Sequence, residues 1–542
     1  MKPTSESDTK MEFESVLYGE IGHFGKYQII NILLLALPAI VSGFMAGEYI
    51  FSASRLPHRC LIPECDGDSP EFRPTWIYDA IPSTSSGFDE CQRFAINLTF
   101  QEELPVEAFC HRNIFNRNVT LSCDKYVYLR TNSVVYDFNL ECEEWLRALA
   151  GTLNSMGAMI ALPLAGFISD RYGRRASIMF FSFNLALVGF VRSFSINYAM
   201  YAALQFMQTA IGGGTFSAAY ILATEIVGPK FRVITSATMS SMFALGQVLL
   251  GVIASQIYEW RRLSLVLFTP AFLLVAYKWL VTESPRWLLT KNRQDQAKTT
   301  VNQAATLNGR NISDKTMSYL IHAIPEQIQL STKNKNVDNL FMKVFKSPTM
   351  LRRCCTTPVL WITTTFIYYG LSINSVSLSG NMYWNYIAIA AIEIPGFWTA
   401  VLVLNRIGRK TTLFMGYTAC GICCVGFAFT PKGMYALSLI LFLAGKYFIG
   451  LVMTSLYLYT AELYPTRHRH SFLGFSSMLG RIGSVISPLT PPLMDYWSGI
   501  PSMMFGSMAV ISALLVLTQP ETLKMKVPDT FEDAEQLGKC KG

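Results

Sequence analysis

Charge is scarce in this chain: only 15% of its 542 residues are Asp, Glu, Lys or Arg, where a soluble protein carries about 25%. Histidine is scarcer still, at six residues. No P-loop, G-x-G-x-x-G turn or H-E-x-x-H helix occurs, so primary ATP-driven pumping has no phosphate cradle to work with. No Ser–His–Asp set and no His/carboxylate cluster can be placed at one level, so an enzyme is not expected, nor a cofactor, nor a metal. No basic run interleaved with aromatics is present, which leaves nucleic acid without a binding surface. Low-complexity tracts are absent too. Residues 1–26 are polar and include acids, lacking the short apolar core of a cleavable signal, so the first apolar run is expected to act as the targeting signal.

What the chain has instead is length in apolar runs. Hydrophobic residues make up 51% of it, and its mean hydropathy is +0.30. Twelve runs near the ~20 residues that cross a bilayer fall at roughly 27–50, 145–168, 176–196, 198–224, 232–256, 263–281, 351–373, 382–404, 411–430, 434–460, 471–494 and 501–519. The expected fold class is an all-α membrane protein of twelve helices in two pseudo-symmetric six-helix halves. Its parts are a tail (1–26), a first bundle (27–281) holding a long loop (52–144), a linker (282–349), a second bundle (350–519) and a tail (520–542).

The charges that exist are sorted by side. Segment 52–144 holds 15 acids and 8 bases, a net of −7, in a chain of net +8. Arg171, Arg174, Arg175, Lys230, Arg232, Arg406, Arg409, Lys410, Arg467 and Arg469 crowd one set of short loops, against Arg261, Arg262 and Lys432 in the other. The positive-inside rule makes the first set cytoplasmic, and with it both termini. Six of the twelve cysteines (Cys60, Cys65, Cys91, Cys110, Cys123 and Cys142) lie in the 52–144 loop, with sequons at Asn97 and Asn118. An even count outside the cell predicts three disulfides and leaves their pairing open. A third sequon at Asn311 falls on the cytoplasmic side and is expected to stay bare.

The chain also repeats itself. Asp170-Arg171-Tyr172-Gly173-Arg174-Arg175 returns as Asn405-Arg406-Ile407-Gly408-Arg409-Lys410; Glu225 returns as Glu462; Thr282-Glu283-Ser284 returns as Pro520-Glu521-Thr522. Three matches in one order, each at the end of an apolar run, predict tandem bundles with a solute site between them. The arginines are expected to pair with Glu225 and Glu462 in contacts made in one conformation and broken in another. Plain topology marking by arginine is the rival reading.

With Gly166 ahead of Asp170, with Glu283-Ser284-Pro285-Arg286-Trp287, and with Glu462-Leu463-Tyr464-Pro465-Thr466, the chain resembles the major facilitator superfamily. The long six-cysteine loop is similar to that of its organic cation, organic anion and carnitine transporters. That resemblance covers Phe13 to Leu523 and implies two six-helix halves, a cavity open alternately to either side, and movement of small organic ions across the plasma membrane. A coupling ion is compatible with it. The oligomeric state is left open, and membrane lipid is the surrounding partner.

Three charges lie deep in the second half. At ~1.5 Å per residue, Arg481 sits ~18 Å from cytoplasmic Arg469, Glu393 ~20 Å from Arg406, and Lys446 ~24 Å from Glu462. Glu393 is expected to pair with Lys446 or Arg481, either to cancel a buried charge or to work on substrate. Gly480, Gly483 and Ser484 suggest room for a ligand beside Arg481, and Pro395 suggests a kink beside Glu393. By resemblance, Arg481 matches the eleventh-span arginine of anion and carnitine transporters, and Glu393 the eighth-span glutamate of cation and carnitine types. Tyr368, Tyr369, Phe216, Tyr220, Phe243 and Gln247 are the candidate cavity residues, the rings through cation–π contact, with helix packing or the interfacial belt as the bland alternative. The expected substrate is a small organic cation or zwitterion. An organic anion exchanger is the first alternative, a non-transporting receptor or membrane enzyme the second.

Overall fold

The computed structural model describes residues 18–537 apart from 85–86, 97–109, 111–113, 319–343, 345–346, 432, 466–467, 524, 526–527 and 529–530. Asn97, Lys432 and Arg467 lie outside the described residues, as does the tail 1–17.

Among the described residues, twelve helical passes follow in order. Span 1 is Lys26–Ser52, span 2 Glu144–Tyr172, span 3 Arg174–Arg192 and span 4 Tyr198–Gly212 with Gly214–Glu225. Span 5 is Arg232–Ala254, and span 6 begins at Trp260–Phe268 and runs through tighter turns to Leu280. Span 7 is Pro348–Asn374, span 8 Met382–Ala391 with Glu393–Ile407, and span 9 Arg409–Ala428. Spans 10, 11 and 12 are Tyr435–Leu463, Arg469–Ile486 and Ile500–Leu517. Ten of these passes are long and apolar enough to cross a bilayer on composition alone; spans 4 and 7 are not among them.

Both exceptions have a physical cause. Span 4 is broken at Gly213 into segments of 15 and 12 residues. Span 7 carries Arg352, Arg353 and six threonines. Thr356, Thr357 and Thr364 each donate to the carbonyl four residues back at 2.7 Å, so these hydroxyls are satisfied within the helix. Span 8 breaks at Ile392, one turn ahead of Pro395, which has no N–H to give the carbonyl of Ala391 four residues back.

Span 2 packs on span 11 and span 5 on span 8, which join the two halves. Between spans 1 and 2 the long loop folds into three two-stranded antiparallel ladders. β1 (His58–Cys60) pairs with β6 (Tyr126–Tyr128), β2 (Ser83–Thr84) with β3 (Gly87–Phe88), and β4 (Gln92–Ile96) with β5 (Phe115–Ser122). Its small core, with Ile62, Ile77 and Ile81 fully or almost fully buried, is closed by the disulfides Cys60–Cys123, Cys65–Cys110 and Cys91–Cys142. A core this thin needs such covalent staples. Asn118 is exposed on β5. His58 lies close to Cys91 and Cys142, but both sulfurs are committed to their disulfide.

On the opposite side, described parts of the linker form short helices, Pro285–Thr290, Gln294–Leu307 and Asp314–Ser318. Asn308 fastens them to the start of span 1, accepting from Tyr27 N–H at 3.0 Å and donating to the Ile21 carbonyl at 2.9 Å. The C-terminal segment is likewise no free tail. Its helix Phe531–Gln536 docks under span 7, where buried Arg353 donates to the carbonyls of Ala534 (2.6 Å) and Leu537 (3.1 Å). Replacing Arg353 by methionine removes bonds of about 1.5–3 kcal/mol to a charged group. The tail should then undock, read as faster proteolysis after Leu523 and a lower unfolding temperature of the purified protein.

Candidate functional site

The three deep charges do not form one cluster. Lys446 Nζ lies 2.9 Å from Glu393 Oε1, and both side chains are fully buried. The ammonium also donates to the Tyr368 carbonyl and to Ser372 Oγ, each at 2.7 Å, and stands 3.6 Å from the centre of the Tyr368 ring. Tyr368 in turn donates its hydroxyl to Glu393 Oε2. Spans 7, 8 and 10 are thus tied at one level, and the Glu393 charge is cancelled inside the second half.

Arg481 stands apart. Its Nη1 donates to the Tyr369 hydroxyl at 3.2 Å, and among the described residues no carboxylate pairs with it. The expected Glu393–Arg481 alternative is therefore not the one adopted, because Lys446 already occupies Glu393. Nor do Gly480 and Gly483 make room for a ligand. A Cβ on Gly480 would press on Trp361, and one on Gly483 on Ile362 and Thr365, so these glycines let span 11 pack tightly on span 7. That packing brings Arg481 beside Tyr369 of span 7.

The rings gather in two groups. In the first half Phe216 lies 5.7 Å from Tyr220 and 5.3 Å from Phe243 between centroids. In the second, Tyr368 and Tyr369 meet edge to face at 5.2 Å, and Trp361 meets Tyr457 edge to face at 4.5 Å. Phe216, Tyr220, Phe243, Tyr369 and Arg481 are half-buried and Tyr457 is exposed, whereas Gln247 is buried against the Tyr386 hydroxyl of the other half. Trp398 adds a second bond across the halves, donating to Ser241 Oγ at 3.2 Å.

Sequence reasoning missed a second buried ion pair. Arg192 and Glu48, both essentially unexposed, meet at 2.7 Å, and Ser264 bonds to each of them. They tie spans 1, 3 and 6 at the loop-side ends. The signal was available: an acid 22 residues after Lys26 and a base 17 after Arg175 reach the same far end of their helices.

The repeated motifs resolve into one device built twice. Gly173 and Gly408 take φ of +112° and +108°, which only glycine adopts without strain. Each turn starts a helix whose first N–H groups are capped by the acid of the third repeated motif. Glu283 accepts from Arg174 N–H (2.9 Å) and Arg175 N–H (3.1 Å), and Glu521 from Arg409 N–H (2.9 Å) and Lys410 N–H (3.0 Å). Burial raises the Glu283 carboxyl above its ordinary value, against the backbone N–H bonds and Arg175, which pull it down.

Arg174 then pairs with Glu225 at 3.1 Å and with Asp170 at 2.6 Å, and Arg409 with Glu462 at 3.0 Å. Arg175 bonds the carbonyls of Lys278 and Val281. Arg171 instead lies over the Phe167 and Tyr172 rings, and Arg406 is exposed. Every pair described here lies within one half. Their geometry stiffens each half as a body and does not bridge the two.

Repeated helical bundles meeting along paired spans, with buried charge at mid-depth, define a multi-pass membrane protein of the two-bundle carrier architecture. The model of the Major Facilitator Superfamily matches residues 146–488. The chain is 30% identical over 527 residues to organic cation transporter protein of Drosophila melanogaster, spanning 96% of this chain and 94% of that one. It is 28% identical over 537 residues to solute carrier family 22 member 3 of Mus musculus, spanning 95% and 94%. The inward-open xylose transporter XylE from E. coli superposes with a TM-score of 0.61 at 16% identity, over 94% of this chain and 100% of that one; this likeness concerns the fold alone. The chain belongs to the major facilitator superfamily and, within it, to the organic cation transporter family.

Proposed function

We propose that the protein is a secondary transporter that moves small carboxylate-bearing zwitterions across the plasma membrane by alternating access. The bundles 27–281 and 350–519 rock about a site between them, with the 52–144 loop outside and both termini and the 282–349 linker inside. The names of its relatives support an organic ion as cargo.

One observation carries the finer reading: Glu393 is neutralised by Lys446, while Arg481 faces Tyr369 without a carboxylate among the described residues. The site then carries one net positive charge, and a substrate carboxylate is its natural complement. An ammonium on the same molecule is served by the faces of Tyr369, Tyr457, Phe216 and Tyr220. A purely cationic solute would meet Arg481 uncompensated. The same charge balance favours a second reading, an organic anion exchanger, in which the aromatic groups serve only apolar contact.

Uptake into proteoliposomes separates these readings. Labelled betaine- and carnitine-like zwitterions should accumulate, with weaker competition from dicarboxylates and least from quaternary cations lacking an acid. Preferred uptake of the quaternary cations would overturn the substrate reading. Absence of flux for every solute would favour a receptor or an enzyme.

A further inference from the structure

The loop-side ends of the two halves are held by an arginine that belongs to neither helix packing nor the substrate site. Arg55, just beyond span 1, lies 3.0 Å from Glu90, 3.5 Å from Glu144 and 3.1 Å from Asp495. Glu90 comes from the folded loop, Glu144 from the start of span 2, and Asp495 from the other half, beyond span 11. Two of these acids are placed by covalent bonding: Glu90 adjoins Cys91 and Glu144 follows Cys142 by two residues, and those cysteines are bridged. The disulfide holds two like charges side by side, and Arg55 with Arg147, 2.7 Å from Glu144, supplies the cations that make the arrangement tolerable.

Below this cluster the halves enclose a small cavity lined by Tyr49, Ala53, Ala148 and Gly151 on one side and Ile373 and Pro488 on the other. Tyr386 of the second half inserts its hydroxyl against Gly47 at a point where any Cβ would clash. The seam is therefore closed on the loop side. Opening it would separate Arg55 from Asp495 while leaving Arg55 bound to Glu90 and Glu144.

We infer that Arg55 is the bolt of an outer latch, anchored by the disulfide-bonded loop and engaging Asp495 only when the outer side is closed. This rests on the alternating-access reading given above. Exposed pairs add little to fold stability; Arg55 and Asp495 have side chains 48% and 47% exposed. Because this contact exists in one state and not the other, its whole contribution falls on the balance between states.

The test is labelling of Ala148→Cys, at a buried seam position, by a membrane-impermeant PEG maleimide applied to the loop side of the full-length protein in cells. Asp495→Asn should raise the labelling rate about fivefold, the scale of one exposed ion pair. Asp495→Glu, which keeps the charge facing Arg55, should leave it near the parent rate. Glu259→Gln, which breaks an exposed Arg262 pair within one half, should leave it unchanged. An unchanged rate in Asp495→Asn, an equal rise in Asp495→Glu, or an equal rise in Glu259→Gln would overturn the latch. Labelling needs neither substrate nor flux, so a failure of the transport reading shows only in uptake and a failure of the latch only here.

Discussion

Replacing Arg481 by alanine should abolish uptake of carboxylate-bearing solutes while leaving the protein folded and at the cell surface. The guanidinium has a single polar partner among those described, the Tyr369 hydroxyl, so its removal strands no buried acid. What is lost is a charge-assisted bond of about 1.5–3 kcal/mol to the substrate, or roughly 10- to 150-fold in affinity. Arg481→Lys keeps the charge and loses the planar fork, so part of the activity should survive. The measurement is the concentration dependence of uptake, normalised to surface protein. Unaltered uptake of a carboxylate substrate by the alanine variant would remove Arg481 from the site. Release of cation uptake in that variant would instead show that the arginine excludes cations.

The second large effect is expected at Lys446, and its sign differs between single and double substitution. Lys446→Ala leaves Glu393 ionised in a place with no exposure. Breaking such a pair from one side costs about 3–5 kcal/mol, a large part of the stability of any membrane bundle. The detergent-solubilised variant should unfold at a markedly lower temperature or fail to express. Glu393→Gln with Lys446→Met removes both charges and should recover most of that loss. Uptake by the double variant then decides what the pair does. Normal transport would make it a structural bond between spans 8 and 10; a folded, inactive carrier would make its rearrangement part of the cycle. Tyr368 lies between these outcomes, since it binds both members.

Much of the architecture could be read directly from residue order. Apolar runs of bilayer length are a local property, and a helix satisfies its own backbone, so the passes need no tertiary information to be recognised. Spans 4 and 7 were legible for the same reason, because Gly213 and the threonines of span 7 interrupt an apolar pattern without destroying it. The loop was legible through its cysteines, though not its pairing, since six half-cystines admit many connections and only the folded strands select one. The strands themselves went unseen, being short: only β4 and β5 exceed three residues.

The site was legible by type and not by partnership. Counting residues from the motif-bearing ends of the helices placed Glu393, Lys446 and Arg481 at comparable depth, yet depth carries no azimuth. Which acid met which base depended on how spans 7, 8, 10 and 11 rotate against one another, and the close approach of Gly480 and Gly483 to span 7 sets that rotation. Arg353 and the C-terminal helix illustrate the same limit, for a buried arginine gives no hint that its acceptors lie 181 residues away.

By itself the sequence determined the membrane class, the doubled bundle, the paired motifs at each helix end and the identity of the deep charges, because each follows from the periodicity and composition of short segments. Only the tertiary structure decided that Glu393 is cancelled by Lys446, that Arg481 is left to face the aromatic groups, and that the motif pairs stiffen each half while Arg55 spans the two. The physical reason is that electrostatic partnership depends on distances of three to four ångströms between side chains from different helices, and those distances exist only after the helices have packed.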